Sequence, residues 1–158
     1  MREYGDGAPE RDADIRTMWH RLYFHLVLTT RMREPLLDAT CARFLCAYLR
    51  SVSARYRARV LAIGAVSTHV HVLLTGDPLT EFPRLIGHMK GGSSTTWNKV
   101  HAESTGWRLQ WAPGYGLSSV GRTQVSAVRE YLRRQPRHHP LERIDGWEGD
   151  RQDQELMR

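Results

Sequence analysis

The amino-acid sequence predicts a single α+β domain in which four strands and three helices follow the order βαββαβα. Three observations predict it. Runs rich in β-branched and aromatic residues alternate with longer segments whose apolar residues recur every three or four positions. Two of the strand-like runs, RVLAIGAV and HVHVLLTG, are separated only by Ser67 and Thr68, a link too short for a crossover, so they pair antiparallel. The length, 158 residues, suits one hydrophobic core and leaves little for a second.

The first strand is expected over Trp19 to Thr30, WHRLYFHLVLTT, with Pro35 in the turn after it. A helix follows from about Thr40 to Arg57. Cys41, Phe44, Leu45, Tyr48, Leu49 and Val52 share its face, and Asp38 or Thr40 is placed to cap it. After the hairpin, a second helix is expected from about Leu79 to His101, striped by Leu79, Phe82, Leu85, Ile86 and Met89. Gly91 and Gly92 mark a bend or a close approach within it. The segment GWRLQWAPGYGLSSVG supplies a loop and a fourth strand near Tyr115 to Val120. The last helix begins near Thr123 and is expected to stop at Gln135, because Pro136 cannot continue it. This order is a split βαβ, ferredoxin-like (RRM-like) antiparallel sheet with an added C-terminal helix. Residues 1–16 read as a loose polar arm and 17–140 as the folded domain. Residues 141–158 read as a polar tail or a short packing segment around Trp147.

Lys and Arg number 23 against 17 Asp and Glu, a formal charge of +6 that favours a polyanionic partner such as nucleic acid. Two cysteines, Cys41 and Cys46, fit neither a zinc knuckle nor a disulfide scaffold and read as small buried apolar residues in a reducing, cytoplasmic setting. The N-terminal stretch lacks the apolar core of a signal peptide, and no apolar run reaches the length of a membrane span, so no membrane partner is expected.

Two groups of residues carry chemistry. Side chains alternate along a strand, so His69 and His71 project from the same face and could hold a divalent cation; alternatively they are incidental surface histidines. Tyr131 and Gln135, in VREYLRRQP, lie four apart, one turn along the predicted last helix. They offer a nucleophile for phosphorus and a neutral oxygen ligand, or else a core tyrosine and a surface amide. Together they form a coherent phosphodiester-cleaving set. A free phenol ionises near pH 10 and is a poor nucleophile at neutral pH. A metal beside it can polarise the phosphate and stabilise the leaving oxygen.

The stretches FHLVLTTRMREPLL, THVHVLL, GHMKGGSSTTWNK, WAPGYGLSSVG and VREYLRRQPRHH together resemble the single-tyrosine HUH transposases of the insertion-sequence 200/605 type and their REP-associated relatives. They span about Trp19 to His139, in that family's order. The resemblance implies that His69, His71 and Gln135 are metal ligands for Mg²⁺ or Mn²⁺ and that Tyr131 is the catalytic nucleophile. It implies a prokaryotic, nucleoid-associated homodimer that recognises hairpins formed by imperfect palindromes in single-stranded DNA. Cleavage would leave a 5′-phosphotyrosine and a free 3′-hydroxyl, and a later 3′-hydroxyl attack would reseal the strand without a nucleotide cofactor. The chain departs from the family at the turn before His69, where Ser67 and Thr68 replace the acidic residue or Asn that members often carry. Its Gly-rich WAPGYGLSSVG loop is a second departure.

Arg84, Lys90 and Lys99 on the second helix are candidate contacts to hairpin phosphates, or a solvated face. Arg133 and Arg134 flank Tyr131 and could hold the bound strand. His138 and His139 could touch DNA or the metal's outer shell, or form a basic loop. His25 reads as a core histidine close to the metal face, and Trp97, Trp107 and Trp111 as stacking platforms or core, Trp97 more as core. A non-catalytic RNA-recognition module on the same fold would need aromatics where THVHVLL has histidines. A domesticated palindrome-processing nuclease would share all four active-site residues.

Overall fold

The computed structural model describes residues 22–152; the N-terminal arm, Trp19 to Arg21 and the end of the C-terminal segment lie outside the described residues. The elements are β1 (Leu22–Thr29), α1 (Ala39–Arg55), β2 (Ala58–Val66), β3 (His69–Gly76), α2 (Phe82–Thr105), β4 (Gly116–Val120), α3 (Val125–Arg133) and a short α4 (Gln135–His138), with 3₁₀ turns at Arg31–Arg33, Arg122–Gln124 and Pro140–Glu142. Among the described residues four strands form one antiparallel sheet in the order β2-β3-β1-β4, the ferredoxin-like arrangement. The central strands are β3 and β1, with His69 opposite Thr29 and His71 opposite Val27.

Alternation along β3 divides its residues between two environments. Val70, Val72 and Leu74 face the main core with Leu26 and Leu28 of β1, against α1 and α2. Leu73, two residues on from His71, packs instead with Ala62 and Leu132 beneath α3. A bulge between Val60 and Ala62 resets β2, so that Val60 and Ile63 both reach the main core although three residues apart.

Asp38 caps α1, its carboxylate accepting from the Cys41 N–H at 2.8 Å. Cys41, Leu45, Leu49 and Val52 are fully buried beneath it, each aliphatic side chain worth roughly 1.5–3 kcal/mol. The second helix starts three residues later than the sequence suggested. Leu79 sits in an exposed turn in which Asp77 accepts from the Leu79 N–H at 2.6 Å, and Pro83 fixes the first helical turn. Its stripe otherwise runs as expected through Leu85, Ile86, Met89 and Trp97, and Gly106, at φ 74°, ends it. The Gly91–Gly92 pair does not interrupt the helix, and only Gly92 makes a close approach: a Cβ there would collide with the Tyr48 hydroxyl of α1, while Gly91 faces open space.

The end of α3 also differs from expectation. The helix closes at Arg133, with Arg134 turning off at φ −92°, ψ 8°. Gln135 then opens α4 with Pro136 in its first turn, where the missing N–H costs nothing. Pro136 thus breaks one helix and begins another, and Gln135 belongs to the second. The segment after it is built into the domain. The Ser67 N–H donates to the Glu142 carbonyl at 2.7 Å, Ile144 and Trp147 join the main core, and Asp150 pairs with Arg50 of α1. Among the described residues no helix is long and apolar enough to cross a membrane.

Candidate active site

The site forms on the sheet face opposite α1 and α2, at the start of β3. Because that strand alternates, the His69 and His71 rings emerge side by side, their centroids 5.0 Å apart and their planes inclined by 70°. The helical end of the domain is set over them by close backbone packing. A Cβ on Gly64 would collide with the Leu132 carbonyl, so glycine lets α3 sit directly on β2 while buried Leu132 locks against Ala62 and Leu73. Tyr131, beside Leu132, therefore points along the sheet toward His71, its ring centroid 6.0 Å away and near perpendicular. It is 39% exposed, and His138 stacks on its other side at 4.7 Å. Gln135 is completely buried, with its Nε2 2.9 Å from Nε2 of His69.

Each imidazole has a partner at its far side. His71 Nδ1 lies 2.7 Å from His25 Nε2 of β1, with the rings stacked. His69 Nδ1 lies 2.9 Å from the Thr68 hydroxyl, which donates to Glu142 at 2.8 Å. Burial, and after it the charges of His25, His69 and His139, push the His71 imidazole down to about 3. Burial likewise lowers His69 and His25. The Thr68 hydrogen bond is the main cause holding the Glu142 carboxyl below its ordinary value. At neutral pH the three imidazoles are therefore neutral, with lone pairs that a cation can use without displacing protons.

The donor chemistry suits a divalent cation. Two neutral imidazoles and an amide converge, and the buried Gln135 Oε1 has no hydrogen-bond partner, leaving a hard oxygen for a cation. Among the described residues no three or more His, Cys, Asp or Glu side chains are grouped to hold a metal; the third polar side chain that meets the two histidines is a glutamine.

The sequence profile of IS200-like transposases matches residues 18–135, which include β1 to β4, α3, both histidines, Tyr131 and Gln135. The chain belongs to this family. It is similar to the ISDra2 transposase TnpA of Deinococcus radiodurans, with 24% identity over 120 residues, covering 73% of this chain and 85% of that protein. Two solved structures share the transposase's fold. One is of a Deinococcus radiodurans R1 transposase, with a TM-score of 0.60 and 24% identity, covering 76% of this chain and 95% of the other. The second is a REP-associated tyrosine transposase bound to a REP hairpin, with a TM-score of 0.58 and 15% identity, covering 78% of this chain and 74% of that one.

The basic residues singled out in the sequence fall in different places on this transposase. His138 and His139 reach the site, the first against Tyr131 and the second edge-on to His69 with its Nδ1 3.2 Å from Glu142. Arg133 and Arg134 both pair with Glu130 on the exposed side of α3. Arg84 pairs with Glu81 at the start of α2, where Phe82 packs near Gly76, the opposite end of β3 from His69. Lys99 lies on a polar groove with Asn98 and Arg108. Lys90 is drawn inward, its ammonium donating to the Ala112 and Gly114 carbonyls at 2.7 and 2.6 Å. Ser93 accepts from the Trp111 indole, and Asn98 exchanges two hydrogen bonds with the Leu109 backbone. The polar residues of KGGSSTTWNK thus pin the tryptophan-rich loop. Trp97 is buried core, stacked between His101 and Trp107. Thr68 and Glu142 were not predicted as part of the site. Thr68 carried the only signal, as half of the atypical turn before His69.

Proposed function

We propose that this transposase cuts and rejoins single-stranded DNA at hairpin-bearing ends through a covalent bond to Tyr131. The observation that carries the reading is the convergence, within one chain, of the Tyr131 ring on His71 and of Gln135 on His69. The net charge of +6 suits a DNA partner, and the hairpin held by the REP-associated neighbour supports a folded single strand as substrate.

His69, His71 and Gln135 would hold Mg²⁺ or Mn²⁺, which when bound would neutralise charge on the scissile phosphate. The protein's own residues do the rest. Gly64 and Leu132 fix the height of α3, and with it the approach of the phenol. Tyr131 Oη forms a bond to phosphorus as the P–O3′ bond breaks in line; the phenol proton is released and the 3′-oxygen gains one. One phosphodiester is exchanged for another, so the step is reversible without a nucleotide cofactor. A 3′-hydroxyl attacking the phosphotyrosine reverses it and restores the phenol. The stacked His138 restricts the swing of the ring between these steps.

The resemblance to single-tyrosine transposases extends this reading to a homodimer, in which the Tyr131-bearing helix of one subunit can complete the site of the other. The test is incubation of the protein with end-labelled single-stranded hairpin oligonucleotides and Mn²⁺, followed by a denaturing gel. A protein-linked labelled band that vanishes in Tyr131→Phe is expected. Equal cleavage of plain duplex DNA, or an adduct surviving in Tyr131→Phe, would overturn the proposal.

A further inference from the structure

We propose that Glu142 and Thr68 form a positioning relay behind His69, holding its imidazole as the Nδ1–H tautomer so that the Nε2 lone pair faces Gln135 and the metal site. The inference rests on the metal-site reading above and adds residues from outside its donor set. A carboxylate only accepts hydrogen bonds, and a hydroxyl has one proton to give. With Glu142 Oε1 2.8 Å from Thr68 Oγ1, that proton goes to Glu142. The Thr68 oxygen, 2.9 Å from His69 Nδ1, must then accept, so Nδ1 carries the hydrogen. With Nδ1 carrying the hydrogen, Nε2 is bare, and the Gln135 amide nitrogen 2.9 Å away donates to it.

The relay is held at both ends. The Ser67 N–H donates to the Glu142 carbonyl at 2.7 Å, which ties the segment after α4 to the turn that carries Thr68. The Glu142 carboxylate also meets Arg33 at 3.4 Å and His139 Nδ1 at 3.2 Å. Thr68 is buried, so water does not compete for its hydroxyl. The acidic support for His69 thus comes from 74 residues downstream of Thr68, through a hydroxyl. Carboxylate support of this kind fixes a ligand's tautomer and orientation, and its loss commonly costs 10–100-fold in metal affinity.

The test uses the full chain with two readouts: the ¹⁵N spectrum of the His69 ring nitrogens in metal-free protein, and Mn²⁺ affinity by titration calorimetry. The wild type is expected to show a protonated Nδ1. Thr68→Val and Glu142→Ala should lose that single tautomer and weaken Mn²⁺ binding about 10–100-fold. Thr68→Ser keeps the hydroxyl and should retain both properties. Arg33→Ala, which removes only an ion pair to the same carboxylate, should also match the wild type and so separates the relay from mere anchoring. A protonated Nε2 in the wild type, or Thr68→Val and Glu142→Ala indistinguishable from it in both readouts, would overturn the relay. A wild type that binds no Mn²⁺ would remove the metal reading instead, and the metal-free tautomer would still decide the relay.

Discussion

Nε2 of Gln135 and Nε2 of His69 lie 2.9 Å apart although 66 residues separate them, and the second oxygen-bearing arm of the same buried amide has no partner. A buried amide with one unsatisfied atom costs about 1–3 kcal/mol, a cost that a bound cation would offset. Gln135→Leu should therefore leave the metal-free fold as stable or slightly more stable, while Mn²⁺ affinity falls at least tenfold. Paired urea melts and calorimetric titrations measure both. A variant that binds Mn²⁺ as the wild type does would remove Gln135 from the donor set.

Tyr131 is part-exposed and belongs to neither hydrophobic cluster of the described residues. Tyr131→Phe should thus unfold within about 0.5 kcal/mol of the wild type and bind hairpin oligonucleotides normally, yet form no covalent adduct. Gel-shift and denaturing-gel assays on one preparation separate the two properties. Loss of hairpin binding alongside the adduct would show that the phenol does more than attack phosphorus.

The approach of α3 to the sheet depends on the missing side chain at Gly64. In Gly64→Ala the new methyl meets the Leu132 backbone carbonyl, which cannot rotate away as a side chain would. Overpacking of this kind costs about 1–3 kcal/mol, and the relief available is a lift of α3. Cutting should then fall by much more than the fraction unfolded accounts for, because Tyr131 rides on the same helix. A stability loss with full activity in the remaining folded protein would show that the phenol's position tolerates the shift.

Much of this was legible from local pattern. The two-residue link fixed the hairpin, and the alternation of THVHVLL put both imidazoles on one face because strand geometry leaves no other choice. Tyr131 and Gln135 reach the site as their spacing suggested, yet Gln135 does so from α4, since Pro136 ends one helix and starts the next. What sequence could not give were contacts made across long separations. Glu142 looks like any acid in a polar tail until Ile144 and Trp147 are seen to dock that segment on the core. His25 reads as core because nothing in β1 reveals that register places it against His71. Lys90 looks like a phosphate contact because the loop carbonyls that capture it lie more than 20 residues away.

Lys90 makes a separable case. Burial lowers its ammonium from the ordinary lysine value, and both of its described hydrogen bonds go to loop carbonyls. Lys90→Met should cost roughly 1–3 kcal/mol by releasing those carbonyls, and leave the salt dependence of hairpin binding unchanged. A true phosphate contact would instead reduce the slope of log K against log salt by about one. Binding measured from low to moderate salt decides between them.

The two thiols give the fold a signature in alkali. Burial, with Asp38 acting on Cys41 and Asp150 on Cys46, raises both, Cys46 to about 12 from an ordinary 9.0. Above pH 9 the unfolded chain's thiols lose their protons while the folded chain's keep them. The native state then binds more protons, and stability falls as pH rises. The loss begins near pH 9 and continues to about pH 12 for Cys46, amounting to roughly 1 kcal/mol per thiol by pH 10. Other groups titrate in the same range, so the comparison is between the wild type and a Cys41→Ala/Cys46→Ala double variant, each melted in urea at pH 8 and pH 10. The wild type should lose about 2 kcal/mol more than the double variant over that interval. Equal losses would mean that the thiols ionise in the folded chain, and that the face of α1 on which they lie is open to water.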